Sequence, residues 1–207
     1  MTKHVLLGIA AAASLATFTQ TATAAGGFDY TYAEAGYRNV NSDSGDGDGV
    51  RVALSYGATD HIHVVAEYTR LWIDDLDNAS SVDIDLDEFQ LGLGGHYPIT
   101  KKIDLVGTIS YVDDEYTGKA RPDYLSYKTN INESEEGYEA KFYGRIQALK
   151  NLEMTPHVIH RDVSDSETGF GVGMVYDLNR KFAIRFEGTH YSDDSTNDLF
   201  LGLRLNM

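Results

Sequence analysis

Residues 199–207 read Leu199-Phe200-Leu201-Gly202-Leu203-Arg204-Leu205-Asn206-Met207. Every odd-numbered position in this stretch is leucine or methionine, while the even-numbered positions include a glycine, an arginine and an asparagine. A period of two is typical of a β-strand, because successive side chains point to opposite faces of the sheet. The end of the chain is therefore predicted to be a strand with one continuous apolar face and one mixed face.

The same alternation recurs from Phe28 onward, and no helical period of 3.6 residues accompanies it. It predicts ten strands, at residues 28–40, 49–57, 62–72, 84–97, 102–112, 137–148, 154–163, 169–176, 182–191 and 198–207. The seventh contains Pro156, which cannot donate to a strand ladder, and His160 falls on its apolar face. The predicted fold is an all-β, antiparallel, up-and-down transmembrane barrel of ten strands. Eight strands are the alternative, if the seventh and its neighbour do not form.

The composition excludes several classes of protein. The 207 residues include 17 Lys and Arg against 32 Asp and Glu, a formal net charge of -15, which excludes a nucleic-acid-binding protein that neutralises phosphates. The chain has no cysteine, so disulfides and thiolate metal sites are excluded. A hydrophobic content of 42% is sufficient for one folded domain.

The first 24 residues have the features of a secretory signal peptide. Lys3 supplies positive charge, residues 5–16 form an apolar stretch too short to span a bilayer, and Ala22-Thr23-Ala24 is a small-residue cleavage site. We therefore expect residues 1–24 to be removed on export and residues 25–207 to form the barrel domain. No later apolar run approaches the length of a transmembrane helix, which excludes a helical inner-membrane protein.

The connections between the predicted strands alternate in length and charge. The longer or more acidic ones are residues 41–48, 74–83, 113–136, 164–168 and 192–197. The short turns lie around residues 58–60, 98–101, 150–152 and 177–180. Bacterial outer-membrane barrels have long loops outside the cell and both termini in the periplasm. The alternation therefore favours a barrel in a Gram-negative outer membrane over a soluble β-sandwich.

Aromatic residues on the apolar faces indicate a membrane independently. If odd-numbered strands run outward, one group lies at the periplasmic ends of the strands: Tyr56, Tyr97, Tyr176 and Phe182. A second group lies at the outer ends: Tyr68, Trp72, Tyr111, Tyr138 and Phe170. Two such belts are typical of the two boundaries between lipid and water.

The opposite face carries charges of both signs and is expected to line the interior. Its charged residues are Glu34, Arg38, Arg51, Glu67, Glu88, Asp104, Glu139, Lys141, Arg145, Arg161, Arg185, Glu187 and Arg204. Three histidines share this face: His63, His96 and His157. We expect the charges to pair across the interior. The inward glycines Gly92, Gly94, Gly171, Gly173 and Gly202 are expected to leave room for the inward tyrosines Tyr30, Tyr32, Tyr143 and Tyr191. A filled interior is favoured over an open one.

These patterns resemble the small outer-membrane β-barrels of the OmpA and OmpX type. The resemblance covers the whole chain after the signal peptide and rests on the Phe28–Tyr37 segment, the Tyr56–His63 hairpin and the Leu199–Met207 strand. The first of these is similar to the opening strand of a branch of small barrels discussed as quorum-signal-associated proteins. Family members usually end in an aromatic residue that the barrel-insertion machinery recognises, whereas this chain ends in methionine. We therefore expect the insertion machinery either to recognise the last strand more weakly or to recognise it through Leu201, Leu203 and Leu205.

Two hydrolase types occur on this fold, and both match this sequence poorly. Omptin-type proteases activate water with Asp and His groups near the rim. The residues near a predicted rim here, in a different spacing and order, are Asp83, Asp85, Asp87, His160 and Asp162. Lipid A deacylases and acyltransferases need a Ser and a His held by an acid, and Ser164 and Ser166 lie near His160. We assign no catalytic residue.

Two predicted outer loops have features of binding surfaces. Asp43, Asp46 and Asp48 stand among glycines, as in calcium loops, but their spacing is not that of an EF-hand, so a solvated tip is expected and no metal is assigned. The acidic loops are suited to share the divalent ions that bridge anionic lipopolysaccharide. The third loop is long enough for a contact surface, through Tyr116, Lys119, Arg121, Tyr124, Tyr127 and Lys128.

The sequence thus predicts a non-enzymatic outer-membrane barrel with acidic extracellular loops and a charge-packed lumen, in contact with membrane lipid and lipopolysaccharide and assembled by the barrel-insertion machinery. A narrow pore for small solutes or ions is the main alternative, because ten strands enclose slightly more space than the eight that side chains just fill. An outer-membrane hydrolase is the third. No cofactor is assigned, and the extracellular partner and the oligomeric state are left open.

Overall fold

The chain is seen in a computed structural model that describes residues 27–42, 45–76, 79–122, 129–192 and 195–207. These residues form the strands β1 (Tyr32–Ser42), β2 (Gly45–Gly57), β3 (Ile62–Leu76), β4 (Ala79–Thr100), β5 (Ile103–Pro122), β6 (Thr129–Leu149), β7 (Leu152–Asp162), β8 (Ser166–Asp177), β9 (Phe182–Tyr191) and β10 (Asn197–Asn206). In this part of the chain, no helix is long and apolar enough to cross a membrane. The signal peptide expected at residues 1–24 lies outside the described residues and stays a prediction.

The ten strands close into an antiparallel barrel. Each strand pairs with its neighbours in sequence, and β1 also pairs with β10 from Tyr32–Asn206 to Asn41–Asn197. The start of β1 and the end of β10 therefore lie at one end of the barrel, together with the short turns after β2, β4, β6 and β8. We call this the inner end. The predicted ten-stranded, up-and-down barrel is confirmed, and the eight-stranded alternative is wrong.

The seventh strand forms in spite of its proline. Strand β7 pairs with β8 along its whole length, including Pro156. On its other side, the pairing with β6 is interrupted, in an unchanged register, between the pairs Tyr143–His157 and Ile146–Met154. The interruption falls where proline has no N–H group to donate. Pairing with β8 keeps β7 in the barrel across this gap.

Three of the predicted outer loops are mostly strand. The sequence pattern predicts loops at residues 41–48, 74–83 and 113–136, but β4, β5 and β6 are 22, 20 and 21 residues long. Strands β5 and β6 pair as far as Ala120–Thr129. The charged composition misled this prediction, because a strand beyond a membrane can expose polar side chains while its backbone ladder stays complete. Residues 43–44, 77–78 and 123–128 lie outside the described part.

The outward face is apolar between two aromatic belts. The most exposed belt residues are Tyr97, Tyr176 and Phe182 toward the inner end, and Trp72, Tyr111, Tyr138 and Phe170 toward the outer end. The next outward residues after Tyr68 on β3 and Tyr111 on β5 are Arg70 and Asp113. On β3 the belt residue Trp72 follows Arg70, so these charged residues lie at the level of the outer belt, where the strands leave the apolar zone. We call the parts of β3–β6 beyond it the outer extension.

The inward face is buried and mostly polar. The charged residues predicted to face inward are all buried or half-buried. A small apolar cluster of Phe28, Tyr30 and Val106, packed against Tyr143, lies at the inner end. Charged side chains therefore make up most of the interior, and they form the candidate functional site.

Candidate functional site: the barrel interior

A chain of ion pairs crosses the outer part of the interior. Arg38 of β1 lies 3.3 Å from Glu88 of β4 and 3.0 Å from Asp198 of β10. Arg161 of β7 lies 2.8 Å from the other oxygen of Glu88 and 2.7 Å from Asp114 of β5. The Glu88 carboxylate is thus held between two guanidinium groups. The pairs join five strands across the lumen.

Asp114 belongs to the outer extension, because it lies on β5 beyond Tyr111. Burial raises the pKa of Asp114 to about 6, and the nearby charge of Glu88 adds to the increase, whereas Arg161 lowers it. Protonation near this pH removes one of the two carboxylate charges that face Arg161. The outer end of the ion-pair chain therefore responds to mild acidification.

A second cluster fills the middle of the barrel. Glu34 of β1 accepts a hydrogen bond from Arg204 Nε at 2.5 Å, and its other oxygen lies 3.5 Å from Arg185 Nε. Glu187 of β9 pairs with Arg185 and lies 3.5 Å from Arg51 Nη1. A buried ion is costly to remove from water and is tolerated where partners compensate its charge. Each member of this cluster therefore depends on the others.

Residues 27–31, which we call the plug segment, fold into the inner end of the barrel. Tyr30 is only 1% exposed, and its ring stacks on that of His96 with centroids 3.7 Å apart. The Tyr30 hydroxyl donates a hydrogen bond to Asp104 Oδ2 at 3.0 Å. Phe28 is also buried. The plug segment therefore occupies the inner mouth with two aromatic rings.

Arg145 holds the plug segment in place. Its guanidinium carbon lies 4.6 Å from the ring centroid of Tyr30 and 4.8 Å from that of Phe28, which are distances typical of cation–π contacts. The same guanidinium donates hydrogen bonds to the two oxygens of Glu153 at 2.7 and 2.8 Å. A further bond of 2.7 Å goes to the backbone carbonyl of Asp29.

The plug segment is not predicted by the sequence pattern. The alternation predicts a first strand from residue 28, which is wrong, because β1 begins at Tyr32. Phe28 and Tyr30 share the inward parity of this strand, so their spacing is the same in a strand and in a plug. Their partners Arg145 and His96 lie on β6 and β4, far away in sequence. The signal in the sequence is the pair of inward aromatic residues before Tyr32. This pair does not distinguish a first strand that begins at residue 28 from a plug.

The inward glycines make room mainly for neighbours other than the tyrosines. A Cβ on Gly94 would collide with the ring of His63, and a Cβ on Gly92 would collide with Ser110. Among the inward tyrosines, Tyr191 lies against a different glycine, Gly169. The prediction that the inward glycines accommodate the tyrosines is therefore wrong in this detail, because close approach depends on the register between strands.

A cavity of about 120 Å³ lies between the two ion-pair clusters. Residues that line it besides the clusters include Glu67, Gln90, Ser110, Glu139 and Lys141. One water molecule takes up roughly 30 Å³ in the liquid. The cavity therefore has the size of a few water molecules.

The candidate hydrolase residues are not brought together. His160 faces outward on β7, and its Nδ1 lies 3.1 Å from Thr168 Oγ1. Asp85 and Asp87 lie on β4, with β5 and β6 between them and β7, and both pair with Arg70. Asp162 ends β7, Ser166 begins β8 and Ser164 lies between these strands, and the side chain of Asp83 is outside the described part.

The predicted loop residues are also distributed differently. Asp46 and Asp48 lie in β2, and Asp43 is outside the described residues. Among the side chains that the structure describes, no group of three or more His, Asp or Glu could hold a metal ion. The predicted contact residues Tyr116, Lys119 and Arg121 lie in β5, the last two with side chains outside the described part. Tyr124, Tyr127 and Lys128 fall outside it entirely.

Solved structures share this fold at low sequence identity. The β-domain of the Bordetella autotransporter BrkA aligns with a TM-score of 0.54 and 8% identity, over 85% of this chain and 98% of that one. The translocator domain of the autotransporter NalP from Neisseria meningitidis aligns with a TM-score of 0.51 and 10% identity, over 99% and 95%. The NanC porin aligns with a TM-score of 0.51 and 9% identity, over 84% and 100%. No curated protein matches this chain significantly.

The sequence itself also matches a known family. The profile of the outer membrane protein beta-barrel domain matches residues 9–205, which is nearly the whole chain. The closed barrel, its apolar outward wall and its two aromatic belts agree with this match. The chain belongs to the outer membrane protein beta-barrel domain family and is a bacterial outer-membrane protein.

Proposed function

We propose that this protein is a non-enzymatic component of the cell envelope, in which a charge-packed barrel carries an acidic extension outside the membrane. The observation that carries the proposal is the contrast between the two parts of the molecule. Ion pairs and the plug segment occupy the interior, whereas β4, β5 and β6 continue well beyond the outer belt.

The interior supports a structural role more than a transport role. A solute that entered from outside would have to separate Arg38 from Glu88, then Arg204 from Glu34, and then displace Tyr30. Loss of one partner from a buried ion pair costs about 3–5 kcal/mol. The closed arrangement is thus favoured over an open passage.

The outer extension is the part best placed to meet the surroundings. Strands β5 and β6 continue to pair from Val112–Gly137 to Ala120–Thr129, a distance of ~30 Å along the strands. Acidic residues follow one another in this region, at Asp113, Asp114, Glu115, Glu133, Glu135 and Glu136. The β6–β7 register ends at Tyr138–Asp162, so among the described residues no strand pairs with this edge of β6 between Thr129 and Gly137. Negative charge along this edge discourages pairing with other strands and is suited to divalent ions shared with lipopolysaccharide.

Assembly by the barrel-insertion machinery is part of the same proposal. The final strand β10 presents Leu201, Leu203 and Leu205 outward, with exposed fractions of 57%, 58% and 38%. These side chains offer a recognition surface on the last strand of the barrel.

A planar-bilayer recording tests the proposal. We expect no stable unitary conductance from the folded protein, because the interior is occupied at three levels. The narrow pore remains the second candidate, and the observation in its favour is the polar cavity of about 120 Å³ in the middle of the barrel. A stable conductance that Gly92→Leu or Gly171→Leu abolishes would support the pore and contradict a structural role.

Activity assays test the alternative hypothesis of an outer-membrane hydrolase. We expect no turnover of peptide or of lipid A by the folded protein. Turnover that is lost in His160→Ala, with the same folded fraction, would contradict a non-enzymatic role. Thr168→Ala is measured beside His160→Ala, because it removes the hydroxyl group that lies within hydrogen-bond distance of His160 Nδ1.

A further inference from the structure

A groove on the outward wall of β3–β7 lies apart from the ion-paired interior. Its volume is about 650 Å³. The floor is formed by Gly95 of β4 and Gly107 of β5, which are directly opposite each other in the register. A Cβ built on either glycine would have no neighbour closer than 3.9 Å. The absence of two side chains at adjoining positions thus leaves a depression in the wall.

The sides of the groove are apolar and strongly exposed. Leu93, Ile109 and Phe142 line it and have exposed fractions of 55%, 60% and 58%. All three face outward in the zone between the aromatic belts, where a membrane protein meets hydrocarbon. A void along this wall would forfeit dispersion contacts. A hydrocarbon chain that lies on the glycine floor gains them.

The turn that joins β4 and β5 at the inner end is positively charged. Lys101 and Lys102 form the turn between β4 and β5, and both are exposed. Tyr97, which is 67% exposed, lies between this turn and the groove floor. Gly95 is ~20 Å from Lys101 along the strand and ~15 Å along the barrel axis, because barrel strands tilt by roughly 40°. From the inner end toward the membrane centre, the order is ammonium groups, a boundary tyrosine and an apolar groove.

The sign of charge differs between the two ends of the barrel. The four inner turns carry the basic residues Lys101, Lys102, Lys150, Arg180 and Lys181. The acidic residues in or directly beside these turns are Asp60 and Asp177. The outer extension is acidic, as described above. A phosphate group beside this wall is therefore attracted to the inner end and repelled from the outer end.

We propose that this wall binds one anionic glycerophospholipid of the periplasmic leaflet. Its phosphate lies at Lys101 and Lys102, and one acyl chain lies along the Gly95–Gly107 floor. Tyr97 sits at the level of the glycerol backbone. Lysine side chains are long enough to reach a headgroup while their stems stay against apolar surface. The charge gradient along the barrel makes the periplasmic leaflet, and not the outer one, the source of the lipid.

The test is native mass spectrometry of the protein released from nanodiscs. The discs contain phosphatidylglycerol or phosphatidylcholine with identical acyl chains. We expect one phosphatidylglycerol to be retained, at least about tenfold more often than phosphatidylcholine, because each lysine near a headgroup favours an anionic lipid. Equal retention of the two lipids would overturn the anionic site.

Matched variants separate the groove from the charges. Gly107→Leu fills the floor and is expected to abolish the retained lipid, while Lys101→Ser/Lys102→Ser removes the preference for phosphatidylglycerol. The controls are Ala35→Leu, an exposed outward position on β1, and Arg180→Ser/Lys181→Ser in the turn after β8. Both controls should retain the lipid as the wild type does. Unchanged retention by Gly107→Leu, or equal loss in the controls, would overturn the proposal. Slower gel migration after boiling verifies that each variant is folded.

Discussion

Tyr30 of the plug segment stacks on His96 of β4, with ring planes 8° apart and centroids 3.7 Å apart. On the same tyrosine, the Arg145 guanidinium lies 4.6 Å from the ring centroid. These contacts are made by side chains and not by the strand ladder. The inner mouth can therefore be weakened while the barrel stays closed.

Truncation of the plug should destabilise the protein measurably. We expect Tyr30→Ala to lower the free energy of unfolding by about 3 kcal/mol, since a buried aromatic ring and its packing are lost. Urea unfolding in lipid vesicles measures this change. Tyr176→Ala is the control, because Tyr176 is 47% exposed on the outward face. Equal losses in the two variants would contradict a plug that is packed into the barrel.

The Arg145–Glu153 pair should behave as a coupled unit. Arg145→Met and Glu153→Met each leave a buried charge without its partner, and each is expected to cost about 3–5 kcal/mol. The double variant should cost much less than the sum, because both charges are then removed. A double-mutant cycle in urea unfolding measures the coupling. Additive losses would show that the two hydrogen bonds between these side chains contribute little.

Two adjacent glycines should differ in how strongly the same substitution destabilises the protein. Gly94→Ala places a Cβ on the ring of His63, which is fully buried and has little room to move. We expect a loss of about 1–3 kcal/mol, as in other overpacked interiors. Gly95→Ala meets no atom closer than 3.9 Å and should change stability by less than about 0.5 kcal/mol. The folded fraction after refolding, read from gel mobility without boiling, compares the two variants.

Stability should depend on pH through Asp114. The pKa of Asp114 in the folded protein is raised from 3.8 to about 6, so the folded state binds this proton more tightly than the unfolded state. Its contribution to stability is present below about pH 3.8 and is lost as the pH rises to about 6. Relative to Asp114→Asn, the unfolding free energy of the wild type should therefore fall over this range, by up to about 3 kcal/mol.

Urea unfolding at a series of pH values measures the effect. Asp113→Asn is the neighbouring control, since Asp113 points to the other face of β5 and accepts a hydrogen bond from Ser134. A difference between wild type and Asp114→Asn that stays constant, or grows with pH, would contradict the raised pKa.

The outer extension shows why sequence patterns located the strands but not their ends. Alternation across residues 102–112 predicts the part of β5 that crosses the apolar zone, because one of its faces must be apolar there. Beyond Tyr111 the outward face is no longer apolar, and the inward face carries the charged Asp114, so Asp113, Glu115 and their neighbours are compatible with either a strand or a loop. The hydrogen bonds to β6 decide the matter, and they depend on a strand more than ten residues away.

The interior shows a similar division. Parity alone predicts that Arg38, Glu88 and Arg161 face inward, and the structure agrees. It does not predict that one carboxylate lies between those two arginines, because this depends on which strands face each other across the closed barrel. The plug segment was missed for the same reason.

What the order of amino acids determined by itself is the two-sided chemistry of each strand, hence the barrel and the polar character of its interior. The pairing of β7 with β6 and β8 decided between ten strands and eight. A period of two is a local property of the chain, and it survives in any register. Tertiary structure alone decided which charged side chains form ion pairs and where Phe28 and Tyr30 lie. It also decided that Gly95 is opposite Gly107 on the outward wall. Those relationships are set by barrel closure and by the stagger between strands, which bring together residues that are distant in sequence.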